Sequence, residues 1–238
     1  IYELGDLDDF YWRNTIWYAL TASHAVENIA LVYCGTELPV LLLQSRGKQL
    51  DLELIGNLVN YLPKKIYAHL DPGLDDHFRQ YYSLTSHGKY WKMILRDKIA
   101  VRDYAMDCSA VQLDRSVSSG TINDFYKKAY PGNWFDVRML DTGKCWGIFD
   151  NGQLICAGGV HVYSKHYRVA AIGNIATLME MRGQGLGKAV TAAVCKSLLQ
   201  DVDIIGLNVR QDNANAVACY KGLGFEIVDA YEEFMLDH

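Results

Sequence analysis

The stretch Ile172-Gly-Asn-Ile-Ala-Thr-Leu-Met-Glu-Met-Arg-Gly-Gln-Gly-Leu-Gly-Lys188 constrains this chain more than any other. Its first part reads as a strand. It then enters a glycine-rich turn that opens a helix over Gly185–Leu199. Gly183, Gly185 and Gly187 let the backbone approach a ligand with no Cβ in the way. The first-turn N–H groups of a helix lack internal partners, and the helix dipole adds positive potential there. Together they make a site for an anion such as a pyrophosphate. Lys188 can add a cation, and Arg182 can add another or form a structural pair.

Two common phosphate-binding patterns do not fit. A Walker A loop needs Gly where Arg182 stands and Ser or Thr where Ala189 stands. A dinucleotide fingerprint begun at Gly183 or Gly185 needs Gly or Ala where Lys188 or Val190 stands. What remains is Arg-x-x-Gly-x-Gly over Arg182–Gly187, which by itself also fits a tight left-handed turn before an amphipathic helix.

The surrounding pattern is mixed. Apolar runs at Ile29–Tyr33, Val40–Leu43, Lys65–Leu70 and Tyr90–Leu95 read as strands. Leu7–Leu20, with Asp6 as cap, reads as a helix, as do Leu50–Tyr61 (stopped by Pro63) and Gly73–Tyr82. Asp114–Gly120 is small and polar and looks like a linker or a helix cap. After it come a helix at Ile122–Tyr130, ended by Pro131-Gly132, and a helical turn or two at Phe135–Leu140. Cys145–Phe149 and Leu154–Tyr163 read as strands joined by Asn151-Gly152, the favoured type I′ hairpin pair. Then follow strands at Arg168–Thr177 and Asp203–Val209, a helix at Ala214–Leu223, and closing strands at Phe225–Val228 and Tyr231–Met235. This order implies an α+β, mixed α/β fold with a central mixed sheet rather than a doubly wound parallel one. It divides into a smaller α/β domain over 1–108 and a second domain over 109–238. The first half loosely echoes the second.

A second constellation joins the first. Asn208 lies on the strand after the glycine-rich helix. Next come Asn213-Ala-Asn-Ala-Val-Ala-Cys-Tyr220 and Gly222-Leu-Gly-Phe225. The two segments together resemble the GCN5-related N-acetyltransferase (GNAT) superfamily. Arg182–Gly187 is similar to its coenzyme A pyrophosphate loop. Asn213, Ala216, Tyr220, Gly224 and Phe225 are similar to its Asn-x-x-Ala-x-x-x-Tyr…Gly-Phe signature. The resemblance covers about residues 110–238. It points to the FR47-like, glycine N-acyltransferase-like branch, whose N-terminal half is a degenerate fold of the same kind. The segment Ser45-Arg-Gly-Lys-Gln49 has one glycine only, so no second coenzyme site is expected there.

The resemblance implies acetyl-CoA as cosubstrate and a primary amine, in a small molecule or a peptide, as acceptor. Ile175, Ala176 and Thr177 would offer backbone groups to the pantetheine arm and the thioester carbonyl. Arg182, Gly183, Gln184, Gly185, Leu186, Gly187 and Lys188 would hold the pyrophosphate, and Asn208, Asn213 and Ala216 would complete the coenzyme site. Tyr220 would protonate the departing thiolate; from helix position alone it also fits a core tyrosine, as Asn213 also fits a helix cap. Many relatives carry a glutamate base near the position of Ala171, which this chain lacks. Substitutes are His161, Tyr163, Glu180, Glu232, Glu233 or a water chain, with His161 also fitting a structural strand histidine. Trp134, Phe135 and Met139 are candidates to line the acceptor cleft.

Composition excludes some other readings. Hydrophobic residues make up 50% and charged ones 21%, which rules out disorder as the dominant state. The net charge of −5 disfavours a sequence-independent nucleic-acid binder. No apolar run approaches a membrane span, and no basic flank with an apolar stretch marks a signal peptide. The chain begins Ile-Tyr-Glu, which leaves its natural start open. Cys34, Cys108, Cys145, Cys156, Cys195 and Cys219 show no zinc spacing, so no metal is expected. They read mostly as small core hydrophobes in a reducing, cytoplasmic setting. A monomer or a homodimer is expected.

Overall fold

The computed structural model describes residues 1–105, 110–117 and 119–238. In chain order the elements are helices α1 (Tyr2–Gly5) and α2 (Asp9–Trp12), strands β1 (Thr15–Ala22), β2 (Ala25–Tyr33) and β3 (Val40–Leu43), and helix α3 (Lys48–Leu58). Strand β4 (Lys65–Leu70), helix α4 (Asp75–Phe78), strand β5 (Ser83–Leu95), helix α5 (Lys98–Arg102) and strand β6 (Val111–Leu113) follow. Then come helix α6 (Ser119–Ala129) and strands β7 (Cys145–Asp150), β8 (Gln153–Ser164) and β9 (Val169–Thr177). Helix α7 (Leu186–Leu198), strand β10 (Ile204–Arg210), helix α8 (Ala214–Lys221) and strand β11 (Phe225–Asp237) complete the chain.

The chain forms two compact units. The first comprises Ile1–Gly5, Met93–Asn208 and Asn213–Ile227, and the second Asp6–Lys92, Val209–Asp212 and Val228–His238. The boundary expected between 108 and 109 lies outside the described residues, as do Cys108 and, within the expected linker, Ser118.

In the first unit β6, β7, β8 and β9 pair antiparallel in succession, and β10 runs parallel to β9. Helix α7 makes the right of way from β9 to β10. Its apolar stripe, which includes Leu186, Val190, Val194, Cys195 and Leu198, is buried. Burying a side chain such as Leu198 contributes about 1.5–3 kcal/mol. The β7–β8 turn is as expected: Asn151 and Gly152 take φ of 47° and 79°.

The second unit repeats this succession. Strands β1, β2 and β3 pair antiparallel, β4 runs parallel to β3 after α3, and β11 lies antiparallel to β4. Leu41, Leu54, Ile55, Leu58, Ile66, Leu70 and Phe78 form its core. The fold is therefore mixed α/β, with antiparallel hairpins feeding parallel β–α–β crossovers.

Some local expectations are corrected. The helix expected over Leu7–Leu20 is instead the short α2 followed by β1. Its cap is Asp8, whose Oδ1 accepts the Phe10 N–H at 3.3 Å, and not Asp6. Thr15, Ile16, Trp17, Tyr18 and Thr21 favour a pleated strand once a hairpin partner is present. That hairpin turns at Ser23 and His24, with φ of 49° and 70°, and so lacks the glycine that usually marks such a turn. The expected helix at Gly73–Tyr82 is confined to α4. The two closing strands are one strand, β11. The turn expected at Phe135–Leu140 is a 3-10 helix over Val137–Thr142, capped by Asp136 and ended by Gly143 at φ 65°.

Cys145, Cys156 and Cys195 are buried, Cys219 is half-buried, and Cys34 is exposed because β2 has already ended there. Burial pushes the Cys145 thiol up to about 11 and also raises Cys195 and the Tyr126 phenol. In the unfolded chain such groups ionise near ~9 and ~10. Above those values the unfolded state gains charge first, so stability is intact at neutral pH and falls as pH rises. Urea unfolding between about pH 9 and 11 should therefore show a steady loss, with about 2–3 kcal/mol from Cys145 alone. Among the described residues no helix is long and apolar enough to cross a membrane.

Candidate functional site

The site lies in the first unit, where two neighbouring strands part. Strands β9 and β10 pair from Val169/Ile204 to Ile172/Leu207 and no further, although β9 continues to Thr177 and β10 to Asn208 and beyond. The peptide groups of Gly173–Thr177 on that edge thus leave the parallel ladder. A ligand carrying amides can pair with such groups as an added strand does.

A bulge shapes the same edge. Gly159 faces Gly173 and Ala157 faces Ala176, so Asn174 and Ile175 together stand against Gly158. Asn174 takes φ 54°, a left-handed conformation that Asn tolerates. The Tyr126 hydroxyl donates to the Asn174 carbonyl at 2.9 Å, and Asn174 Nδ2 lies 3.5 Å from Met139 Sδ. Phe135 stacks on Tyr126 at 4.8 Å. Met139 therefore meets the bulge and Phe135 packs on the tyrosine that holds it, whereas Trp134 is 41% exposed. Asn174 and Tyr126 were not legible as site residues. The available signal was an Asn inside an otherwise apolar strand.

A second bulge lies across from the first. Val160 faces Ile172 and Val162 faces Ala171, which leaves His161 as the extra residue. Its ring occupies the place a side chain on Gly173 would take. Gly173→Ala should therefore displace the ring and cost about 1–3 kcal/mol in urea unfolding. Adding His161→Ala should recover most of that loss, a coupling that a double-mutant cycle measures.

The glycine turn follows β9. Gly183 and Gly185 take φ of 79° and 78°. Gly185 is the N-cap of α7, and no side chain caps this end. The first helical bond recorded runs from the Ala189 N–H to the Gly185 carbonyl at 3.1 Å. The amides of Leu186, Gly187 and Lys188 thus have no intrahelical acceptor. A Cβ on Gly183 would meet open space, and one on Gly187 would meet only Thr177 Oγ1 at 3.7 Å and Ile175 Cγ2 at 4.0 Å.

Both cations at this turn are engaged by the protein. Arg182 donates from Nε to the Thr177 carbonyl at 3.2 Å and from Nη2 to the Ala129 carbonyl at 3.3 Å. It ties the end of β9 to the end of α6. The Lys188 ammonium lies 5.2 Å from the Tyr104 ring centroid, beside Gly222 at the end of α8. Gln184 Nε2 lies 4.0 Å from Met181 Sδ.

Helix α8 brings the last group. Asn213 caps it, its Oδ1 accepting the Ala216 N–H at 3.1 Å. Asn208 and Ala216 are half-buried. Tyr220 packs edge-on against Phe225 at 6.0 Å. Burial first, then Cys219, Tyr130, Cys195 and Cys156, hold its phenol well above the usual range, so it is protonated at neutral pH. Cys156 Sγ is in turn 3.2 Å from Thr177 Oγ1 at the end of β9.

The remaining base candidates have the following surroundings. Tyr163 donates to Asp201 at 3.0 Å, Glu180 is exposed, and Glu232 accepts from Ser86 at 2.6 Å. Glu233 belongs to the second unit. Among the described residues no group of three metal-ligating side chains is assembled.

Residues 112–225 match the model of the acetyltransferase (GNAT) family. A stretch of 50 residues is 52% identical to a mycothiol acetyltransferase of Corynebacterium jeikeium, and it spans 21% of this chain and 14% of that protein. A GCN5-related N-acetyltransferase-like protein from Streptococcus suis superposes with a TM-score of 0.61 at 17% identity, over 98% of this chain and 95% of that one. A tandem GNAT protein from the clavulanic acid biosynthesis pathway, solved without acetyl-CoA, superposes at 0.60 with 14% identity, over 93% and 83%. These likenesses show the fold. Parting strands, bulged edge and uncapped glycine turn all fall within the stretch, residues 112–225, that matches the acetyltransferase (GNAT) family.

Proposed function

We propose that this protein is an N-acetyltransferase that moves the acetyl group of acetyl-CoA to a primary amine by direct attack in a ternary complex. The observation that carries the reading is the uncapped turn Gly183–Gly187, set directly after the edge where β9 leaves β10. On this reading Gly183, Gln184, Gly185, Leu186, Gly187 and Lys188 hold the pyrophosphate through their amides. Arg182 positions the turn. Backbone groups of Ile175, Ala176 and Thr177 receive the pantetheine arm, and an N–H there faces the thioester oxygen as negative charge develops. Such a donor is worth about 3–4 kcal/mol in known sites. Asn208, Asn213 and Ala216 flank the coenzyme.

The amine nitrogen attacks the carbonyl carbon, the carbon–sulfur bond breaks, and Tyr220 gives its proton to the departing sulfur. The amine proton goes to His161, which lies against Gly173 on the face shared with Ala171. The acceptor is a small molecule or a peptide amine.

Residues 1–108 are read as a degenerate half of the same kind, as in the FR47-like, glycine N-acyltransferase-like branch. The repeated succession of pairings supports this. So does Asp51, which is buried beside the start of α3. Its carboxylate accepts from Arg46 N–H at 2.9 Å, Ser45 Oγ at 2.6 Å and Asn28 Nδ2 at 3.1 Å. An internal anion thus stands at the loop where the other half leaves its amides open, which argues against a second coenzyme site.

A second reading is a non-catalytic acyl-CoA-binding module, favoured by Ala171 where relatives carry a carboxylate. Calorimetric titration with CoA and acetyl-CoA, followed by thiol release across a panel of amines, separates the two. Saturable binding with release is expected. Binding without turnover on any amine leaves the binding module, and no binding sinks both.

A further inference from the structure

Among the described residues, five other than glycine take a left-handed φ. Ser23, His24, Asn151 and Arg168 lie in turns between strands, whereas Asn174 lies inside β9. Backbone in so sparsely populated a region persists only where its surroundings fix it, and such positions gather at functional sites. Two contacts hold the peptide that follows Asn174. The first is the Tyr126 hydroxyl from α6, which donates to the Asn174 carbonyl at 2.9 Å. Both residues are buried, at 4% and 6% exposure. Phe135 stacked at 4.8 Å and Phe125 edge-on at 5.1 Å fix the Tyr126 ring. Burial first, then Cys145 and Cys156, holds its phenol well above the usual range, so it stays a donor at neutral pH. The second contact is the Ile175 side chain. Its Cδ1 fills the place a Cβ on Gly158 would take, and its Cγ2 lies 4.0 Å from where one on Gly187 would stand.

The Asn174 carbonyl and the Ile175 N–H belong to one planar trans peptide, so they point in opposite directions. Fixing the carbonyl therefore fixes the N–H. A hydrogen bond received by the carbonyl also polarises the peptide and makes its N–H a stronger donor, more so away from water. This peptide belongs to the stretch of β9 beyond Ile172, where pairing with β10 has ended.

We propose that Tyr126 is a positioning residue for acetyl transfer, a role that rests on the proposed function of the same site. Its hydroxyl sets the direction and the donor strength of the Asn174–Ile175 peptide, which makes the Ile175 N–H the donor that meets the thioester oxygen. Tyr126 touches neither coenzyme nor amine. It acts through the backbone, by keeping one peptide in the orientation that the developing negative charge requires, so that no reorganisation is needed as the amine attacks.

The test uses the full chain, isotope-labelled at isoleucine nitrogen, with the Ile175 amide resonance identified by its loss in Ile175→Val. CoA and acetyl-CoA are titrated separately. CoA carries the pantetheine arm and the pyrophosphate but no acyl oxygen. The Ile175 resonance is expected to shift further with acetyl-CoA than with CoA. In Tyr126→Phe, which keeps the ring and loses the hydroxyl, that difference should vanish. With any accepted amine its kcat should fall at least about tenfold, while KM for acetyl-CoA stays within about twofold. A merely structural tyrosine would lower stability and affinity together and leave the acetyl-specific shift in place. A folded Tyr126→Phe that keeps this shift, or keeps its turnover, overturns the proposal. Equal Ile175 shifts with the two ligands in the unaltered protein overturn it as well, even where Tyr126→Phe fails to fold, and leave the coenzyme site standing. Absence of any CoA binding overturns the acetyl-transfer reading and this role with it.

Discussion

Tyr220→Phe is expected to lower turnover about 10²–10⁴-fold while coenzyme affinity stays nearly unchanged. The ring that packs against Phe225 survives the change, so the fold and the coenzyme slot keep their shape. Only the proposed proton donor goes. A poor leaving group must then depart as a bare thiolate, and the loss falls on the chemical step. Steady-state kinetics with acetyl-CoA and any accepted amine separates the two parameters. If CoA affinity falls as much as turnover, Tyr220 is a packing residue. If neither moves, another group protonates the sulfur. Burial holds the phenol well above its usual range, so Tyr220 should not set an alkaline limb of the rate profile below about pH 10.

The second large effect has opposite signs in stability and binding. Gly187→Asp should keep or slightly raise the melting temperature and reduce CoA affinity by at least about 100-fold. Gly187 lies inside the first turn of α7, and a Cβ there meets only ordinary contacts. Replacing a helical glycine gains about 0.5–1 kcal/mol, and a carboxylate near the positive end of the helix gains a few tenths more. The same carboxylate would stand where the proposed diphosphate would sit. Thermal unfolding and CoA titration on one preparation check both halves. A variant that is stable and binds CoA normally would remove the pyrophosphate from this turn.

The parts legible in the sequence are those with local causes. The glycine turn, the α8 cap at Asn213 and the Asn151-Gly152 hairpin each follow from residues within a few positions of one another. What escaped depends on partners far away in the chain. Trp17 and Tyr18 become strand only when β2 lies beside them, and a turn at Ser23-His24 carries no glycine to announce it. The bulge at Asn174 depends on β8 and on the Tyr126 hydroxyl from α6. The anchoring of Arg182 by two carbonyls was equally hidden, since one of them lies 53 positions away. The break expected between Val228 and Tyr231 is absent, because β11 runs on from Phe225 to Asp237.

That anchoring reaches into how the turn responds to salt. With Arg182 tied to two peptide oxygens and Lys188 lodged over the Tyr104 ring, the diphosphate of the proposed coenzyme would be met by fixed amide dipoles rather than by loose cations. Added electrolyte screens mobile surface charge far better than it screens oriented peptide groups at contact distance. On the proposed function, CoA affinity should accordingly be flat from dilute buffer to several hundred millimolar chloride, in the manner of a socket and not of an ion exchanger.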